Sequence, residues 1–158
     1  MQQQVTILSS TVDDSETIVR ALKTPYHFDA KKKKLKPAAF RPPIGESVIS
    51  VMRQLIGDSA CKDHAVRIGK ENYVGLAALS AQSIRQRDSK VLDAPDEYHG
   101  HAHIDHEFPA PNANEPASAV ENERAVARYK SLADVSKCHV DLKPKVNGWS
   151  GESLKISA

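Results

Sequence analysis

His99-Gly100-His101-Ala102-His103-Ile104-Asp105 alternates with period two, the pattern of a strand whose residues 99, 101, 103 and 105 share one face. Downstream the period changes. From Ser118 to Lys137, apolar positions such as Val120, Ala127 and Leu132 recur at helical spacing, and Ser118 with Glu121 forms a capping box. Pro109, Pro111 and Pro116 make residues 107–118 a Pro-rich loop between the two. Strands and helices mixed without a regular βαβ rhythm predict an α+β fold. The expectation is one compact domain over residues 1–158, with a small mixed or antiparallel sheet and about three helices.

Working outward, Ser47 to Met52 and Tyr73 to Leu79 read as strands, the first with a helix from Glu46 to Leu55 as the rival reading and the second a buried one. Asp58-Ser59 caps a helix running to about Ile68, with Gly69 past its end. Residues 84–91 carry no clear period, and residues 139–142 fit a last strand. Near the start, Ser9, Ser10 and Thr11 precede Asp13, Asp14 and Glu16, which predicts a helix with Ile18, Val19 and Leu22 on its apolar side, ending before Pro25. The competing reading there is a strand at residues 5–8 followed by a helical turn. Lys31, Lys32, Lys33, Lys34 and Lys36 form a basic surface loop over residues 31–37. Residues 143–158 are polar and expected to be a loose C-terminal tail.

The chain has 158 residues, a length that suits one domain at ~100–200 residues each. Its net charge of +2 falls short of the excess typical of a globally basic nucleic-acid binder. Cys61 and Cys138 lie far apart and outside any CxxC pair, so both read as buried thiols rather than a disulfide framework. Met1-Gln2-Gln3-Gln4 lacks the basic and apolar regions of a signal peptide, and no run approaches the ~18 apolar residues of a membrane span. The expected location is the cytoplasm, with no membrane partner.

Ala39-Phe40-Arg41-Pro42, then Ser50-Val51, then His101-Ala102-His103-Ile104-Asp105, with an Ala-rich helix at Glu123–Ala133, resembles an uncharacterised group of small bacterial proteins. The resemblance spans roughly residues 37 to 137. The chain departs from that group at Ile49 and in the spacing of Pro43-Ile44-Gly45. The resemblance implies a bacterial origin and an accessory system, of defence or mobile-element type; it implies no reaction.

Three constellations bear on function. His101, His103 and Asp105 are the candidate catalytic residues, since one strand face presents imidazole and carboxylate together. His101, His103, His106 and Glu107 are the candidate ligands of a divalent transition metal, with His64 and His139 as further donors from elsewhere. The spacing of His101, His103 and Glu107 is similar to the first cupin motif, but the framing glycines and a second motif are missing. Lys31, Lys32, Lys33, Lys34, Lys36 and Arg41 are the candidate nucleic-acid or ligand contacts. P-loop, dinucleotide-binding, nucleophile-elbow and HExxH motifs are all absent. The balance favours a noncatalytic binding or assembly component, with a protein partner or self-association, over a histidine- or metal-dependent hydrolase. A nucleic-acid binder is the third reading.

Overall fold

Thr17–Lys23 (β1) forms a strand, not the expected helix, and it lies near the middle of the sheet. Ile18 and Leu22 are buried on one side of it and Val19 and Ala21 on the other. A strand covered on both faces carries apolar residues on both, and three such positions in five imitate a helical face. The computed structural model describes residues 8–29, 31–110 and 119–156, with side chains from residue 122 onward in the last segment. The alternative strand at residues 5–8 falls almost wholly outside them.

The remaining elements are Phe28–Asp29 (β2), Lys34–Leu35 (β3), Val48–Arg53 (β4), Asp58–Gly69 (α1), Tyr73–Ser80 (β5), Ala81–Gln86 (α2), Lys90–Asp93 (β6), His101–Asp105 (β7), Ala119–Val135 (α3) and Lys137–Val140 (β8). Six strands form one antiparallel sheet in the order β6-β7-β4-β1-β5-β8, while β2 and β3 make a separate hairpin. This is the α+β single domain that the alternation of periods implies. None of the described helices is long and apolar enough to cross a membrane.

One sheet face packs Ile18, Ile49 and Ile104 against Phe40, Ile84 of α2 and Leu132 of α3. The other packs Val19, Met52 and Leu76 against Cys61 and Ala65 of α1. Each large side chain withdrawn from water in this way contributes roughly 1.5–3 kcal/mol. β1 and β4 pair only at Ile18–Arg53 and Val19–Met52. Beside that short ladder, Arg20 donates from Nε to Ala39 O (2.8 Å) and from Nη1 to Ser50 O (2.9 Å), supplying donors to carbonyls that would otherwise be buried unpaired.

The C-terminal segment corrects the expectation of a loose tail. Leu154 is fully buried, Trp149 packs beside it, and Ile156 N donates to Thr17 Oγ1 at 2.8 Å. Lys62 of α1, itself buried, donates to Lys143 O (2.8 Å) and Val146 O (2.6 Å) and pairs with Asp141 at 3.0 Å. Two apolar residues in a polar stretch and one inward lysine anchor the segment, and neither signal has a period to reveal it. The basic loop is the hairpin tip between β2 and β3, its turn held by Asp29 Oδ1, which accepts from Lys31 N and Lys32 N. Within the Pro-rich stretch, residues 107–110 have no regular structure, and residues 111–118 lie outside the described chain, as does the Ser118–Glu121 capping box.

Candidate metal centre

β7 is the second strand from the edge, paired with β4 and β6. Its alternation places Ala102 and Ile104 in the core of one face and turns His101 and His103 to the other, toward α1. His103 stands opposite Ser50 in the β4 register. The connection from β6 to β7 is folded tightly: Ala94 N donates to His101 O (2.9 Å), and His101 N donates to Tyr98 O (3.1 Å). That fold lays Glu97 over the start of β7. One ligand atom each from Glu97, His101 and His103 then lies within 4.8 Å of the others.

His101 is fully buried. Its Nδ1 lies 2.9 Å from Ala94 O, and its Nε2 lies 3.1 Å from Ser50 Oγ and 3.5 Å from Glu97 Oε2. A carbonyl only accepts, so Nδ1 carries a proton, and Nε2 is the ring nitrogen that faces Ser50 and Glu97. Histidines that bind metals are commonly oriented in this way, through a backbone carbonyl on the other ring nitrogen. His101 and His103 meet edge to face, with ring centroids 4.8 Å apart. On the other side of His101 stands Tyr98 (4.8 Å), which stacks on His64 of α1 (3.8 Å). The Tyr98 hydroxyl is buried without a hydrogen-bond partner among the described residues, and burial, then the nearby Cys61, push it up to about 12.

Burial and His101 lower the pKa of His103, against the opposing pull of Glu97, Glu46 and Asp105. Burial and the Arg67 guanidinium lower that of His64. An imidazole held below its usual range offers a free lone pair at neutral pH, as metal ligation requires. Metal–donor bonds of about 2.0–2.2 Å require the three donors to draw in from this spread, and Glu97, whose side chain is 65 % exposed, has the freedom to move.

The other residues singled out from the sequence are placed apart from this cluster. Asp105 shares the face of His101 and His103 but accepts from Glu107 N at 2.8 Å. His106 leaves the end of the strand toward α3: its Nδ1 is 2.7 Å from Ser89 Oγ, its Nε2 is 2.9 Å from Phe40 O, and its ring packs near Tyr129. That histidine is buried, and Ser89 is buried with it. Glu107 is exposed, adopts φ 62° and faces Lys90 at 3.5 Å. His99 precedes the strand and is exposed. His139 lies on β8, with three strands between it and β7. Lys31 to Lys34 and Arg41 are exposed, and Lys36 Nζ donates to Pro25 O. Glu97 and Ser50 join the site without a sequence motif. The only hint of Glu97 is a carboxylate four residues before His101 in a turn.

Gly100 lets this turn close. It adopts φ 87°, and a Cβ there would collide with Ile56. Gly100→Ala is expected to destabilise the fold by roughly 1–3 kcal/mol and to weaken divalent-metal binding, because the adjacent His101 is displaced. Urea denaturation and a zinc titration of the same variant check both. Comparison of the chain with protein-family models, with curated proteins and with solved structures finds no match.

Proposed function

We propose that the protein is a divalent-metal-dependent hydrolase whose metal is held by Glu97, His101 and His103. The convergence of those three donors carries the reading. Two imidazoles and one carboxylate suit zinc, iron or manganese, and three protein ligands leave positions open for water and substrate, as catalytic sites do and structural ones do not. A metal bound there would supply Lewis-acid polarisation and an activated water. The chain's own residues orient the donors: Ala94 O fixes the His101 ring, and Glu46 and Asp105 add negative potential around His103. Phosphoesters and amides are the substrate class. The test is hydrolysis of a panel of nitrophenyl phosphodiesters and amides by protein loaded with zinc or manganese. Glu97→Gln should lower the rate at least about a hundredfold. Equal rates in the two proteins, or no hydrolysis of either class, would overturn the hydrolase assignment.

A noncatalytic binding or assembly role, the reading the sequence alone favours, has one supporting observation. Leu142 is 89 % exposed and Val146 53 % exposed, beside the edge strand β8, where Val140 is also exposed. Exposed apolar side chains on and just after an edge strand suit a protein partner or a second copy. A Leu142→Glu variant that abolishes a concentration-dependent rise in sedimentation coefficient would support that role. Nucleic-acid contact through residues 31–36 is favoured by Tyr26, which is 68 % exposed and next to Pro25, the acceptor of the Lys36 ammonium. Binding of that kind would weaken with salt and with neutralisation of the lysines.

A further inference from the structure

We propose a second binding site, on the sheet face opposite Glu97, His101 and His103, for a small organic phosphate or diphosphate. A groove of about 330 Å³ lies there, lined by Arg87, Asp88, Phe108, Arg124, Arg128 and the small residues Ala127 and Ser131. That volume is at the lower end of small-molecule sites, which run ~300–1,000 Å³.

The lining follows from the fold. Residues 124, 127, 128 and 131 fall on one flank of α3 by their i, i+3, i+4, i+7 spacing, while Tyr129 and Leu132 turn to the core. Arg87 and Asp88 come from the turn between α2 and β6, and Phe108 follows β7. Among the described residues, three arginines therefore line one small concavity with a single carboxylate, that of Asp88.

Two of the three are held in place by neutral acceptors, so they are oriented without losing their charge. Arg87 Nη1 donates to Ser83 O at 3.1 Å. Arg128 Nη1 lies 3.0 Å from Asp88 O, 3.3 Å from Ser89 Oγ and 3.4 Å from His106 O. The Arg128 and Arg124 guanidinium carbons lie 4.9 Å and 5.8 Å from the centre of the Phe108 ring, within the range of a cation–π contact. Arginine forks match phosphate oxygens in pairs. Their excess over the one described carboxylate selects an anion, and a volume of about 330 Å³ accommodates a small one. Sequence spacing alone does not single out these arginines, because Arg87, Phe108 and α3 meet only in the folded chain.

The test is calorimetric titration of the protein with pyrophosphate in the presence of EDTA, so that no metal contributes. Arg87→Gln with Arg124→Gln should weaken binding about tenfold or more, the worth of one charge-assisted hydrogen bond. Arg128 is left intact because it ties α3 to the backbone at Asp88 and His106, whereas among the described residues Arg87 bonds only within its own helical turn. Asp88 has φ 61°, a conformation asparagine tolerates, so Asp88→Asn should keep the fold and tighten binding by removing the opposing charge. Lys32→Gln with Lys33→Gln should change nothing. No heat of binding with the wild-type protein would overturn the proposal. So would equal affinity in the double arginine variant, loss in the lysine variant, or binding of a single-stranded oligonucleotide without binding of pyrophosphate.

Discussion

Replacing Arg53 by methionine is expected to cost about 3–5 kcal/mol, the usual loss when one partner of a buried ion pair is removed. Arg53 is 1 % exposed. Its Nε and Nη2 donate to the two oxygens of Glu16, each at 2.8 Å, and Nη1 reaches Asp93 at 3.1 Å and Ser9 O at 2.7 Å. The side chain thus ties β4 to the segment before β1 and to the end of β6. Methionine fills similar space but leaves Glu16, also buried, without a counter-charge. Against a typical stability of 5–15 kcal/mol, the urea midpoint should fall steeply. Adding Glu16→Gln should recover part of the loss, since the orphaned charge is then gone. A single variant within about 1 kcal/mol of wild type would mean that the cluster is balanced by desolvation.

Acid is the second large effect. His27 is buried, and its Nδ1 accepts from Lys23 N at 3.1 Å. Burial, then the charges of Arg20 and Lys23, lower its pKa to about 4 from 6.5. The unfolded chain takes up a proton at that side chain before the folded chain does. Stability is therefore unaffected above about pH 6.5, falls as the pH drops, and reaches its full penalty, of order 3 kcal/mol, near pH 4. His106 and His139, both also lowered chiefly by burial, add in the same direction. Urea midpoints between pH 7.5 and 4 measure the slope. Carboxylates such as Asp141 contribute at the acid end: burial pushes its pKa up, but hydrogen bonds from Tyr73, Lys143 N and Lys62 outweigh that and hold it low. His27→Gln isolates the histidine and should flatten the upper part of the curve. An unchanged slope in that variant would remove His27 from the acid response.

The site was half legible in the sequence. Period-two alternation is enough to put His101 and His103 on one face, whereas the pairing that sets His103 opposite Ser50 of β4 appears only in the folded sheet. Glu97 was not legible, because its position depends on the path of the connection from β6 to β7, which Gly100 and Ile56 decide at long range. His106 looked like a neighbouring ligand, but the strand ends at Asp105 and the next side chain drops into the α3 side of the core. In the same way β1 read as a helix because residues buried on both faces erase the alternation. The C-terminal segment read as loose because its anchors, Lys62 and Thr17, are distant in sequence.

The most direct test of the metal centre is elemental mass spectrometry of the purified, untagged protein, beside His103→Gln and Glu97→Gln. His103 is the better target because His101 is fully buried and bonded to Ala94 and Ser50, so its loss would disturb the fold itself. About one equivalent of zinc, iron or manganese in the wild-type protein, lost from both variants while their unfolding midpoints stay close to wild type, is the predicted result. A wild-type protein that is metal-free and takes up no zinc on addition, or variants that retain the full equivalent, would contradict it.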